Sequence, residues 1–405
     1  MKLLAAGSNS HHQLNGSVND LRSFEVLAPA SESESGPGNL DIGLLYASWS
    51  TTTLLHATQL INFGHQPWSA KSPHTTRSPI GDHNGLIGYL DNEGRIWCLY
   101  ADPRNLSARQ PPLTLVNDDP DAPQIGHFAL ANNGKVALSF KQAPNGRLAH
   151  IVEFAGLDAF KGWYLDPSDP AKAPEAHHML PGQPVQLIAN TATFLLLMAD
   201  GEVYSWGDPR YRTLGRSIVG DAMPAGTPGV INALGGMKVS KIACGGWLGA
   251  ALCDQALYIW GSTLPSKDNE IKVLTELGPD ELELVDFGVE SIDIIDVSVG
   301  DNHIATVSTD GRLFVIGDNA YGQLGIGEQV FSDDWVEVPS VEHALRVQCG
   351  PQSTFVWVNA NYNRISRRAA SVLASPKSPR VSCATVEYAA TSFLPHTLSM
   401  RDSIE

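Results

Sequence analysis

The stretch Asp310-Gly-Arg-Leu-Phe-Val-Ile-Gly-Asp-Asn-Ala-Tyr-Gly-Gln-Leu-Gly-Ile-Gly327 decides the fold, because it recurs. An earlier copy reads Asp200-Gly-Glu-Val-Tyr-Ser-Trp-Gly-Asp-Pro-Arg-Tyr-Arg-Thr-Leu-Gly215, and the chain opens on the second half of another, Leu3 to Gly16. A unit that returns along a chain is one supersecondary element whose apolar face must be covered by its neighbours. Asp-Gly is a hairpin turn, since both central residues tolerate positive φ. The apolar runs Ile304–Ser308 and Leu313–Ile316 flank it as strands. Gly317, Asn319, Gly322, Gly325 and Gly327 then punctuate a loop whose backbone takes conformations a Cβ would forbid. Upstream, Val297-Ser-Val-Gly-Asp-Asn302 is a third strand ending in a glycine turn.

With Gly300, His303, Asp310-Gly311, Gly317, Asn319 and Gly322-Gln-Leu-Gly325 at these spacings, the unit resembles the repeat of the regulator of chromosome condensation family. The resemblance implies an all-β fold, a seven-bladed β-propeller. The strand-and-turn half of the unit can be placed seven times. Its turn position falls at Asn190, Gly245, Gly300 and Gly350, in steps of 55, 55 and 50 residues. An earlier copy lies at Leu45–Ser50, with Ser48 in the glycine position. Degenerate copies are expected at Ile80-Gly-Asp-His83 and Ile125-Gly-His127, placed by the following turns Glu93-Gly94 and Asn133-Gly134.

The two ends complete each other. Lys2–Gly16 is a late half and Leu345–Val358 an early half of one unit, so pairing of the terminal strands closes the ring and leaves no open sheet edge. The expected organisation is a monomeric ring over 1–358, followed by a disordered tail over 359–405 that is rich in Ser, Ala, Arg and Pro. Ser375-Pro and Ser378-Pro in the tail match proline-directed phosphorylation sites. Loops are expected at Ser31–Asn39, Pro67–Pro79 and Asp166–Pro184, and short helical turns at Asp158–Tyr164 and Asp280–Leu284.

Charge excludes one class of partner. The formal net charge is −16, and the tail contributes +3, so the ring carries −19. The segment from Asp268 to Asp296 holds ten acids and one lysine. Such a ring is repelled by phosphate backbones, and direct nucleic-acid binding is not expected. The segment is read as a solvated face, with a contact for a basic partner as the sharper alternative. No 18-residue apolar run or signal-peptide pattern is present, so no membrane association is expected. Five cysteines without a C-x-x-C pair fit reduced thiols, with Cys98, Cys244, Cys253 and Cys349 on strands. The compartment expected is cytosol, nucleus or both.

No catalytic, cofactor or metal constellation emerges. There is no G-x-S-x-G elbow or phosphate-binding loop, and Gly126 to Lys135 has the wrong spacing for one. His11-His12 and His177-His178 lack a carboxylate or cysteine at ligand spacing and read as loop residues. Asp200, Asp254 and Asp310 recur at one turn position, so they are turn residues rather than acids of a catalytic pair. Trp97, Trp206 and Trp260 lie on repeat strands and are expected in the core. The two residues after each turn glycine share one loop position facing one side of the ring. Trp49, Trp247, Asp301, Asn302 and Gln352 stand there and are the candidate partner-binding residues. Tryptophan is common at binding hot spots. The alternative for each ring is burial under a neighbouring loop.

The function expected is a non-enzymatic scaffold presenting propeller loops to a protein partner. The alternative is a guanine-nucleotide exchange factor for a Ran-type GTPase, as in the family's founding member. A start on Gly7-Ser-Asn9, divergent middle blades and the last strand Cys349–Val358 resemble the fungal α-tubulin-suppressor type. That resemblance implies a small zinc-binding partner in tRNA wobble-uridine modification and diphthamide synthesis. A substrate-recruiting adaptor usually has an F-box or similar domain, and none is expected in 1–16 or 359–405.

Overall fold

Four runs of six residues are buried along their whole length: Thr193–Met198, Leu248–Cys253, His303–Ser308 and Ser353–Val358. A strand buried on both faces reads as a continuous apolar run, and it needs a sheet on either side. The computed structural model supplies them. It describes residues 1–27, 42–56, 59–65, 76–98, 114–115, 124–141, 146–220, 222–263, 269–288 and 292–359. They form seven antiparallel sheets arranged as a seven-bladed β-propeller.

The first blade has three described strands, Ile42–Ala47, Thr51–His56 and Gln59–Gly64. The next five have four, each starting with an inner strand: Thr76–Asp82, Ile125–Leu130, Pro184–Ala189, Val239–Gly245 and Ile294–Val299. The closing blade runs Ala344–Gly350, Ser353–Val358, Lys2–Gly7, Leu21–Val26. Lys2–Gly7 pairs with Ser353–Val358 over all six residues, Lys2 opposite Val358 and Gly7 opposite Ser353. Leu3, Ala5, Leu14 and Leu21 thereby share one apolar cluster with Leu54, Phe355 and Trp357.

The glycine at the end of the third strand in five of the blades has a steric cause. Gly7, Gly64, Gly207, Gly261 and Gly317 all have φ between 91° and 126°. A Cβ on Gly317 would stand 2.3 Å from the carbonyl oxygen of Asn302, and one on Gly7 2.4 Å from that of Gln352. Both carbonyls accept from the next amide: Asp318 N–H to Asn302 and Ser8 N–H to Gln352, each at 2.9 Å. His303 explains another motif position. Its ring packs over Gly300, where a Cβ would meet Cε1 at 2.1 Å. Thr354 Oγ1 donates to Gln323 O at 2.6 Å, so His303 Nε2–H must donate to Thr354 Oγ1 at 3.0 Å, which sets a neutral tautomer.

Inner strands are stitched across blades by side chains. Asp296 pairs with Lys241 Nζ of the preceding blade at 2.5 Å and accepts the Val347 amide of the following one at 2.8 Å. Gln186 takes and gives a hydrogen bond at Ile242 of the next blade.

Several local expectations are revised. Ile125–Leu130 is the whole inner strand of the third blade, so Asn133-Gly134 forms the first turn of that blade, not the second. Asn-Gly suits either hairpin of a blade, so its chemistry alone could not choose. In the second blade Asp82 faces Gly85, so His83-Asn84 is the turn, and His83 lies inside it rather than at the strand-ending glycine position. Asp166–Pro184 is not all loop, because Ala176–Pro181 is the third blade's outer strand. Its period-2 pattern is masked by two adjacent histidines. Likewise Glu283–Leu284 is the fifth blade's outer strand, and the short helix lies at Lys272–Thr275. The loop read from Pro67 gives way to strand at Thr76. The helix Leu157–Leu165 lies where a helical turn was expected and buries Phe160, Trp163 and Tyr164. The tail from 360, its serines 375 and 378, and the loop 31–39 lie outside the described residues.

Candidate protein-interaction face

Each blade's first turn ends at the mouth of the central channel, and residues of all seven turns line a cavity there of about 220 Å³. The turns are bonded to one another through main chain. Trp49 N–H donates to His83 O, Asn132 to Asn190 O, Thr191 to Gly246 O and Asp301 to Pro351 O, each at 3.1 Å. Gly246 is obligatory in this ring: its φ is 53°, and a Cβ would sit 1.6 Å from Asp301 O. The positions read as interaction residues thus have structural backbones, which leaves their side chains to vary.

Two of those side chains, Trp49 and Asp301, meet at the mouth together with His83. The Trp49 ring lies tilted against His83 with centroids 4.4 Å apart, and its Nε1 donates to Asp301 Oδ2 at 3.2 Å. Trp49 is 42% exposed. Burial raises the Asp301 carboxyl pKa, opposed by the Trp49 bond and by His83. Below them Tyr46 Oη donates to Asp82 O at 2.5 Å. Burial, then the carboxylates of Asp82 and Asp301, push that phenol well above its usual range. His83 Nδ1 is buried without a hydrogen-bond partner among the described residues.

Trp247 stands apart from this cluster. It is 7% exposed, covered by Tyr211 at 4.9 Å, with the Arg210 guanidinium 5.3 Å from its ring. Asp208 holds Arg210 at 2.6 Å. Asn302 and Gln352 are half-buried, and their carbonyls serve the glycine device described above.

The third-strand loops reach the same face. Asn319 Oδ1 accepts the Leu324 amide and Gln323 Oε1 the Tyr321 amide, and Asn9 and Gln13 repeat both bonds to Leu14 and His11. This loop presents Tyr321 and His11, and the corresponding loop of the fourth blade, with Pro209 and Thr213 in place of the Asn and Gln, presents Tyr211 at the same repeat position. His12 and Arg212 replace Gly322 there and keep its left-handed conformation, with φ of 61° and 58° against 85°. Arg212 is anchored by the carbonyls of Thr275 and Leu277. Sequence reasoning missed Tyr46, His83, Arg210 and Tyr211. The shared repeat position of Tyr211 and Tyr321 was a usable signal, whereas the meeting of His83 with Trp49 was not.

Other expected roles resolve as follows. Trp206 and Trp260 are fully buried, while Trp97 is half-buried and bonded to Asp91 at 2.9 Å. Cys253 is buried, but Cys244 and Cys349 border the channel cavity. Burial raises both of those thiols, Cys349 to about 12. His177 and His178 gain partners that the sequence hid: His150 at 3.1 Å and Glu153 at 2.7 Å. No group of three or more His, Cys, Asp or Glu able to hold a metal occurs among the described residues.

The regulator of chromosome condensation (RCC1) repeat matches residues 200–252 and 310–357, and a second description of that repeat matches 294–323. The chain is an RCC1-type β-propeller. Mouse RCC1 domain-containing protein 1 is 30% identical over 231 residues, 48% of this chain and 60% of that protein. Human E3 ubiquitin-protein ligase HERC2 is 32% identical over 173 residues, 39% of this chain but 3% of the ligase. This chain therefore accounts for less than two thirds of either relative. Prp20p from Saccharomyces cerevisiae shares the fold, with a TM-score of 0.61 at 13% identity over 92% of this chain and 94% of that one. The repeat matches fall in the fourth to closing blades, and the earlier blades keep the architecture without the motif.

Proposed function

We propose that this propeller is a non-enzymatic scaffold that binds a protein partner through its turn face. The observation carrying this reading is the exposed Trp49 ring, held by His83 and Asp301 from two other blades on a hydrogen-bonded rim. Pre-organised aromatic side chains bind with little loss of conformational entropy. The sequence resemblance to the α-tubulin-suppressor type names the finer proposal: a regulatory subunit for tRNA wobble-uridine modification and diphthamide synthesis, with a small zinc-binding partner.

Guanine-nucleotide exchange is the second reading. It is favoured by a 33% identity over 137 residues to a mouse RCC1-like G exchanging factor-like protein, 33% of this chain and 29% of that one. It is also favoured by the fold shared with Prp20p, which was characterised for binding Gsp1p and histones.

Affinity purification with wild type and Trp49→Ala, followed by a nucleotide-release assay on a Ran-type GTPase, separates the readings. The scaffold reading expects a partner lost with Trp49→Ala and no acceleration of release above background. Catalytic release at substoichiometric protein would replace it with exchange. A small zinc protein among the Trp49-dependent partners would support the suppressor type.

A further inference from the structure

The fifth and sixth blades enclose a second cavity, of about 300 Å³, away from the turn face. Val273, Val285, Phe287 and Trp335 wall it. The Val285 amide is bonded to Leu257, at the start of a third strand and so at the end of the blade opposite the channel-mouth turns. Phe287 is braced between Trp335 and Phe314, with ring centroids at 5.1 and 4.7 Å. Aromatic rings held in place by their neighbours offer fixed π faces.

The rim is acidic, and among the described residues no cation forms an ion pair with its carboxylates. Glu283, Asp286 and Asp334 stand on it. Asp286 and Asp334 each use one oxygen on a nearby amide, of Gly288 at 2.8 Å and of Trp335 at 2.7 Å. Burial raises the Glu283 carboxyl pKa. The nearby cation, Lys272, is bound to Asp333 at 2.5 Å and acts on Asp334 only through space. No ion pair joins a described cation to Glu283, Asp286 or Asp334. Apolar walls, fixed aromatic faces and carboxylates without an ion-pair partner at one opening suit a side chain with an aliphatic stem and a cationic head.

We propose that this cavity binds an arginine or lysine side chain of a partner protein, the stem against Val273 and Val285 and the cation against Trp335 and the rim carboxylates. The site is independent of the turn face, and gives the acidic stretch 268–296 a role beyond solvation.

Fluorescence polarisation with a fluorescein-labelled peptide Gly-Leu-Arg-Leu-Gly, its lysine counterpart and its citrulline counterpart tests this. Citrulline keeps the shape of arginine and removes its charge. The cationic peptides are expected to bind in a salt-sensitive manner, and the citrulline peptide roughly tenfold more weakly. Trp335→Ala should abolish the preference and Trp335→Phe should retain part of it. The double change Glu283→Gln/Asp286→Asn should weaken binding without lowering the melting temperature, which keeps the test valid if Trp335→Ala unfolds. Trp49→Ala should leave peptide binding unchanged. Failure of both cationic peptides to bind, equal binding of arginine and citrulline, or indifference to the double change would each overturn the assignment.

Discussion

Leu3→Ala tests how the ring is closed. Leu3 is 1% exposed and packs with Phe355, Trp357 and Leu54, residues more than fifty or three hundred and fifty positions away. Truncating a buried leucine costs about 2–5 kcal/mol, the spread depending on how far the cavity collapses. Lys2 is exposed on the same strand, and Lys2→Ala should stay within about 0.5 kcal/mol. Urea midpoints at constant slope measure both. A double-mutant cycle sharpens the test. Leu3→Ala and Phe355→Leu touch one cluster and should couple by at least about 0.5 kcal/mol, whereas Leu3→Ala with Leu252→Ala, in a different cluster, should add within about 0.5 kcal/mol. Deleting residues 1–8 goes further: it opens the edge of Ser353–Val358 and strands Leu21–Val26, so insolubility is expected. If Leu3→Ala behaves like Lys2→Ala, or adds simply with Phe355→Leu, the termini do not share a blade.

Three further outcomes are expected. Burial lowers the His303 pKa from the usual 6.5 to about 4, so the fold favours the neutral ring. Its contribution is complete above about pH 6.5 and is lost as pH falls towards 4, a swing of about 3 kcal/mol; the pH dependence of denaturation midpoints should flatten in His303→Gln. Asp296→Ala strips Lys241 of its partner and leaves the buried Val347 amide without an acceptor, which should cost about 1–3 kcal/mol in chemical denaturation; Asp296→Asn, which keeps an acceptor, should cost less. Trp247→Ala should lower stability by up to about 3–5 kcal/mol, whereas Trp49→Ala should leave the melting curve nearly unchanged and weaken partner binding roughly thirtyfold; reversed effects would exchange the roles given to the two rings.

The repeat made the architecture legible before any coordinates. Asp310-Gly311 and Gly317 report local backbone needs, a hairpin turn and a carbonyl that leaves no room for a Cβ, and such needs recur wherever the unit recurs. Complementary half-units at the two ends were enough to imply closure, because an unpaired edge is costly. The early blades were read less well. Asn133-Gly134 has the chemistry of a turn but carries no information about which turn, and the strand Ala176–Pro181 hides its alternation behind His177-His178.

The candidate sites show the boundary most clearly. The sequence alone placed Trp49, Trp247 and Asp301 on one face, since register along a repeat is a local property. It could not distinguish an exposed ring from a covered one. Trp49 is open, braced by His83 and by an aspartate 252 residues away, and Trp247 lies beneath Tyr211 of the preceding blade. Phe287 and Trp335 likewise belong to different blades, and only their packing turns an acidic stretch into a rimmed cavity. Turn chemistry and strand periodicity act over a few residues and are written in the chain. Burial, side-chain pairing and the environment of a charge depend on which blades become neighbours, and that is settled only when the ring closes.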